Sequence, residues 1–181
     1  MITSFLKNTA VIATLLLVVC QLNAQQFKGL DKSPMDAAAF PADYRESNKL
    51  IKIVYSRPQL KNRSLDQLAP QGKVWRTGAN EAAELTLYVD MNLGGTKVPA
   101  GTYTFYIIPN KDSWTAIINT DLNVWGSYFY KEDNDVARFE VPVMTGETPL
   151  EAFSIAFEES ANGVDMFIGW DTTLVKVPFT K

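Results

Sequence analysis

Leu85-Thr86-Leu87-Tyr88-Val89-Asp90-Met91, followed by Asn92-Leu93-Gly94-Gly95, is the stretch that decides the fold class. Leu85, Leu87, Val89 and Met91 alternate with Thr86, Tyr88 and Asp90, the period-two pattern of a strand with one buried face. Asn92 to Gly95 then reads as a reverse turn, because adjacent glycines supply the positive φ that hairpin turns require. The same alternation recurs on both sides. Ile51, Ile53 and Tyr55 share one face over Leu50–Tyr55, while Tyr103, Phe105 and Ile107 form another row ending at Pro109. Pro99-Ala100-Gly101 and Asn110-Lys111-Asp112 punctuate these rows, and Trp114, Ala116 and Ile118 continue them. Further strands are predicted over residues 137–143, 152–158, 163–170 and 174–179, with Ser160-Ala161-Asn162-Gly163 as a hairpin turn. About nine short strands with regular turn signals predict an all-β fold, an antiparallel β-sandwich with jelly-roll-like connections. Immunoglobulin-like and lipocalin-like topologies fit the same periodicity. Only residues 64–69, where Leu65 and Leu68 precede Pro70, read as a short helix.

The chain opens differently. Lys7 precedes an apolar run from Ala10 to Cys20, and Leu22-Asn23-Ala24 ends on a small residue, as a secretory signal peptide does. Cleavage after Ala24 is favoured over lipidation at Cys20, because bulky Val19 stands where a lipobox has a small residue. The expected organisation is a signal peptide over residues 1–24, a leading arm over 25–47 and one β-sandwich domain over 48–181. Within the arm, Ser33-Pro34 before Met35-Asp36-Ala37-Ala38-Ala39 reads as one capped helical turn. The expected location is exported, periplasmic or extracellular.

Composition narrows the chemistry. There is no histidine and one cysteine, Cys20, which the cleavage would remove. Imidazole-based nucleophilic machinery, thiol nucleophiles and disulfides are therefore outside the reach of the mature chain. The net charge of −3 becomes one unit more negative once Lys7 is lost, which argues against nucleic acid and anionic membrane as partners. No glycine-rich phosphate loop is present, no cofactor is called for, and no membrane-spanning segment is expected in the mature chain. Asp133-Asn134-Asp135 offers three oxygen donors in a row, but consecutive residues project in different directions, so it reads as a solvated turn rather than a metal site.

What remains is a dense polar block, Val74-Trp75-Arg76-Thr77-Gly78-Ala79-Asn80-Glu81. Gly78 permits a bend that turns Asn80 and Glu81 back toward Arg76. Arg57 and Arg63 are added as guanidinium groups near strand ends, and Asn123, Trp125 and Tyr128 as an amide- and aromatic-rich second loop. Trp75, Trp114 and Trp170 read as core, Trp125 as an exposed ring. Planar polar groups beside aromatic faces suit a small polar ligand, either a carbohydrate stacked on Trp125 or Tyr128 or an anion held by the arginines. A carboxylate-dependent, glycosidase-like hydrolase using Glu81 with Glu84 or Asp121 is the alternative. A structural or interaction domain, with the arginines acting only as scaffolding, is the third reading.

Tyr55-Ser56-Arg57-Pro58, Lys61, Arg63, the run from Gly72 to Glu81, Pro99-Ala100-Gly101-Thr102-Tyr103, Trp114-Thr115 and Trp125-Gly126 together carry a resemblance. The chain resembles the DUF2911 family of exported Gram-negative domains of unknown function. The likeness extends from Leu30 to Phe179 and is most specific over Trp75–Ala82. It implies an exported, single-domain, all-β protein and supplies no catalytic residues.

Overall fold

Backbone pairing, not helix, organises the chain in the computed structural model, which describes residues 27–181. The proposed leader and Cys20 lie outside the described residues. The strands are β1 (Met35–Phe40), β2 (Ile51–Ser56), β3 (Ala83–Leu87), β4 (Met91–Leu93), β5 (Thr96–Val98), β6 (Gly101–Pro109), β7 (Ser113–Asn119), β8 (Asp135–Ser160) and β9 (Gly163–Thr180). One α-helical turn, α1 (Leu65–Leu68), and a 3-10 turn over Glu132–Asn134 interrupt them. Ser64 caps α1, and the Gln67 side chain reaches back to the cap's backbone.

Every pairing is antiparallel, in the order β1-β2-β3-β6-β7-β8-β9-β4-β5. The long strand β8 serves two layers. Asp135–Pro142 pairs with β7, and from Val143 onward the strand pairs with β9. The layers meet again where Phe153 donates its N–H to Pro58 (2.9 Å) and Leu60 donates to Glu151 (3.0 Å). This all-β, sandwich-like arrangement over Asp31–Lys181 buries one continuous core. Trp75 is its centre, stacked on Trp170 at 5.7 Å and edge-on to Trp114 and Phe153. Tyr55 ties the layers by accepting the Ile155 N–H (2.9 Å), a satisfied polar handle in an apolar setting.

Three local expectations are corrected. Met35–Phe40 is an edge strand rather than a helical turn, because pairing with β2 over its whole length outweighs one marginal turn of alanines. The strand beginning at Ala83 stops at Leu87 instead of running to Met91. Asp90 accepts the Ala100 N–H (2.9 Å) and pairs with Lys97 (2.8 Å), fixing a corner that sends β4 and β5 across to β9. Their turn is Gly94-Gly95 alone, with φ of 57° and 83°, the doubly positive pattern of a two-residue hairpin. Finally, the four strands expected beyond residue 137 fuse into two. β9 absorbs its kink at Asp171, which takes a φ of 53°.

Candidate functional site

Two loops far apart in sequence are laced together at one end of β3 and β7. The first is the polar block after Trp75; the second spans residues 121–130. Ala82 donates its N–H to Val124 (3.0 Å), Gly126 donates to Asn80 (3.0 Å), and the Ser127 hydroxyl donates to Val74 (2.8 Å). Glu81 and Trp125 face each other as an isolated bridge. Of the residues singled out from sequence, Arg76, Asn80, Glu81, Asn123, Trp125 and Tyr128 are carried on this pair.

The first loop is conformationally expensive. Thr77, Gly78 and Asn80 take φ of 53°, 152° and 61°. Gly78 passes so close to β2 that a Cβ there would stand 2.8 Å from the Ser56 carbonyl oxygen, so only glycine fits. Asparagine tolerates the left-handed region, but a β-branched threonine does so at a cost. Thr77 is fully buried, and its hydroxyl oxygen has no hydrogen-bond partner. Near the turn, the Ser33 N–H and then the Asn80 side chain keep the Asp31 carboxyl below the usual range.

Arg76 donates Nη1 to the Asn80 carbonyl (3.1 Å), and its guanidinium lies 5.8 Å from the centre of the Tyr128 ring. It therefore braces the bend and orients an aromatic ring by a cation–π contact. Arg57 and Arg63 are engaged elsewhere. Arg57 donates to the Phe153 carbonyl (3.0 Å), to Asp36 (3.0 Å) and to the Ser154 hydroxyl (2.7 Å), locking β1, β2 and β8 together. Arg63 donates to the carbonyls of Leu60 (3.0 Å) and Gln59 (2.8 Å), closing the turn before α1. Both are guanidinium groups satisfying loop and strand carbonyls.

The accessible hollow beside the loop pair is a cleft of about 250 Å³. Glu81, Glu84, Thr104 and Asn123 supply its polar groups, and Met35, Val54, Ala82 and Val124 its apolar wall. No arginine lines it. Asp121, weighed as a partner for Glu81, accepts from the Asn134 amide (2.8 Å), and its carbonyl accepts from the Thr104 hydroxyl. The second loop exposes Trp125 (52%), Tyr128 (73%), Phe129 (71%) and Leu122 (43%). Trp75, Trp114 and Trp170 are buried, so the one exposed tryptophan is the one flanked by Val124 and Gly126 in the loop.

Sequence reading missed Leu122 and Phe129, although an apolar residue on either side of Trp125 in a loop was the available signal. It also missed Asn119, Tyr130 and Asp135 at the loop's base, which local sequence does not distinguish from solvated turn residues. Among the described residues no group of three or more His, Cys, Asp or Glu side chains is placed to hold a metal ion. Among them, too, no helix is long and apolar enough to cross a membrane. No curated protein and no solved structure matches the chain. One family model does, across residues 35–179, and the chain thus belongs to the family described as protein of unknown function (DUF2911).

Proposed function

We propose that this chain is an exported binding module whose paired loops, 76–82 and 121–130, take a neutral polyhydroxylated ligand such as a sugar. The observation that carries the reading is that Leu122, Trp125, Tyr128 and Phe129 are all exposed on the loop whose Asn123 and Val124 line a cleft furnished with an amide, a hydroxyl and two carboxylates. Large apolar side chains concentrated in one loop are uncommon on a soluble surface and mark interaction sites. Aromatic faces stack on the C–H faces of a sugar ring, while planar acceptors and donors take its hydroxyls. The anion reading loses ground because the arginines are spent: Arg57 and Arg63 donate to carbonyls, a hydroxyl and Asp36, and Arg76 braces Asn80.

An array of mono- and oligosaccharides, followed by calorimetry on any hit, tests the proposal. Trp125→Ala should weaken binding at least tenfold with little salt dependence. Absence of binding across the array, or a salt-sensitive affinity lost on Arg76→Ala but kept in Trp125→Ala, overturns it. The hydrolase reading keeps one supporting observation, that Glu81 and Glu84 line the same cleft. Chromogenic glycoside cleavage abolished by Glu81→Gln in a folded chain would move the conclusion there.

A further inference from the structure

We propose that Asp135 is a positioning residue for the aromatic face: it clasps the base of the 121–130 loop so that Trp125, Tyr128 and Phe129 are held out in water. The inference rests on the binding reading above and extends it to residues outside the loop pair. The Asp135 side chain is only 7% exposed. One of its oxygens accepts from the Asn119 amide (2.8 Å), and the other from the Tyr130 hydroxyl (2.6 Å) and Arg138 Nη1 (3.1 Å). Asn119, fully buried at the end of β7, also donates to the Lys131 carbonyl (3.0 Å) and accepts the Asp121 N–H (2.9 Å). One amide and one carboxylate thus join the outgoing stem of the loop to its returning stem. Thr120 donates its N–H to the Asn134 carbonyl (3.0 Å), and the Tyr130 ring packs edge-on against buried Tyr106 at 5.3 Å.

The clasp has something to oppose. Apolar surface left in water costs roughly 25 cal/mol per Å². A slack loop carrying Leu122, Trp125, Tyr128 and Phe129 would therefore collapse onto the sheet and hide the rings. Hydrogen bonds to a carboxylate shielded from water are stronger than their exposed counterparts, and an amide in its place is uncharged and accepts at only one of the two oxygen positions. The network keeps these side chains in water by fixing the backbone at both stems, not by packing against them.

Hydrogen exchange on the full chain decides the matter without any ligand. In Asp135→Asn the amides of Gly126 and Tyr130, which donate to the Asn80 and Ser127 carbonyls, should exchange at least tenfold faster, while those of β2 and β9 keep wild-type rates. Unchanged exchange at Gly126 and Tyr130, or acceleration spread equally over β2 and β9, overturns the proposal. Should Asp135→Asn fail to fold, Tyr130→Phe, which deletes a single hydroxyl, is read by the same criterion at about threefold. Any oligosaccharide that the wild-type chain binds on the array should lose at least tenfold in affinity in the same variant, measured well below its Tm. A wild-type chain that binds none defeats the binding reading, and the exchange rates still judge the clasp.

Discussion

Thr77→Val should stabilise this protein, although it alters a fully buried residue in the densest motif of the chain. Thr77 is 0% exposed, its φ is 53°, and its Oγ1 is buried without a partner. Valine keeps the shape and the β-branch, so backbone strain and packing volume are unchanged and only the hydroxyl is removed. A buried polar atom without a hydrogen bond costs about 1–3 kcal/mol, and replacing it with an apolar isostere recovers that amount. For a domain of this size 1 kcal/mol shifts Tm by about 2–4 °C, so the increase should lie between roughly 2 and 12 °C. Thr77→Gly is the control. It relieves about 1–2 kcal/mol of left-handed strain but gives up the buried methyl group and adds unfolded-state entropy, so it should gain less than valine. Urea unfolding midpoints at constant m-value, checked by calorimetry, measure both. A Thr77→Val chain destabilised by 1 kcal/mol or more would refute the reasoning, because the hydroxyl would then have a partner such as an internal water.

Three further outcomes are expected. Arg57→Ala should cost about 2–3 kcal/mol, since it abandons the Phe153 carbonyl and Ser154 between layers, and Arg57→Lys should restore only part because an ammonium cannot fork; chemical denaturation reads both. Gly163→Ala should cost about 3 kcal/mol or more, because its φ is 159° and a Cβ would stand 2.1 Å from the Phe179 carbonyl oxygen; loss of less than 1 kcal/mol would show that the β8–β9 hairpin yields easily. Burial, with Asp121 and Asp135 adding to it, pushes the Tyr106 phenol up to about 12 from its ordinary 10. The folded chain then holds this proton more tightly than the unfolded one, so stability is complete below pH 10 and falls as pH rises toward 12. The Tyr106 share of the loss should be on the order of 2 kcal/mol, so in pH-resolved unfolding Tyr106→Phe should lose less than the wild type, the remainder coming from Tyr55, Tyr103 and Tyr130, whose phenols burial also raises.

The proposed export has its own check. Mass spectrometry of the mature protein should find Gln25 at the N-terminus, and a lipid-modified Cys20 would replace that account with an anchored one.

Composition and period two were enough to decide the fold class and most of the core. Ile51, Ile53, Tyr55, Leu85, Leu87, Tyr103, Phe105 and Ile107 are buried on the faces their alternation indicates, because a strand's side chains alternate whatever the partner. Trp125 was legible as exposed for a related reason: a loop between amide and glycine has no layer to fill. Register and sheet membership were not legible, since pairing is chosen by long-range contacts. Met35–Phe40 became an edge strand because β2 was available, and the strand from Ala83 ended at Leu87 because the Asp90 corner sends β4 to β9. The destination of each arginine was likewise a tertiary matter. A guanidinium takes whichever carbonyls converge on it, so Arg57 closed a seam between layers while Arg76 braced a bend beneath an aromatic ring. Local sequence sets which face a residue shows; only the folded chain decides what that face meets.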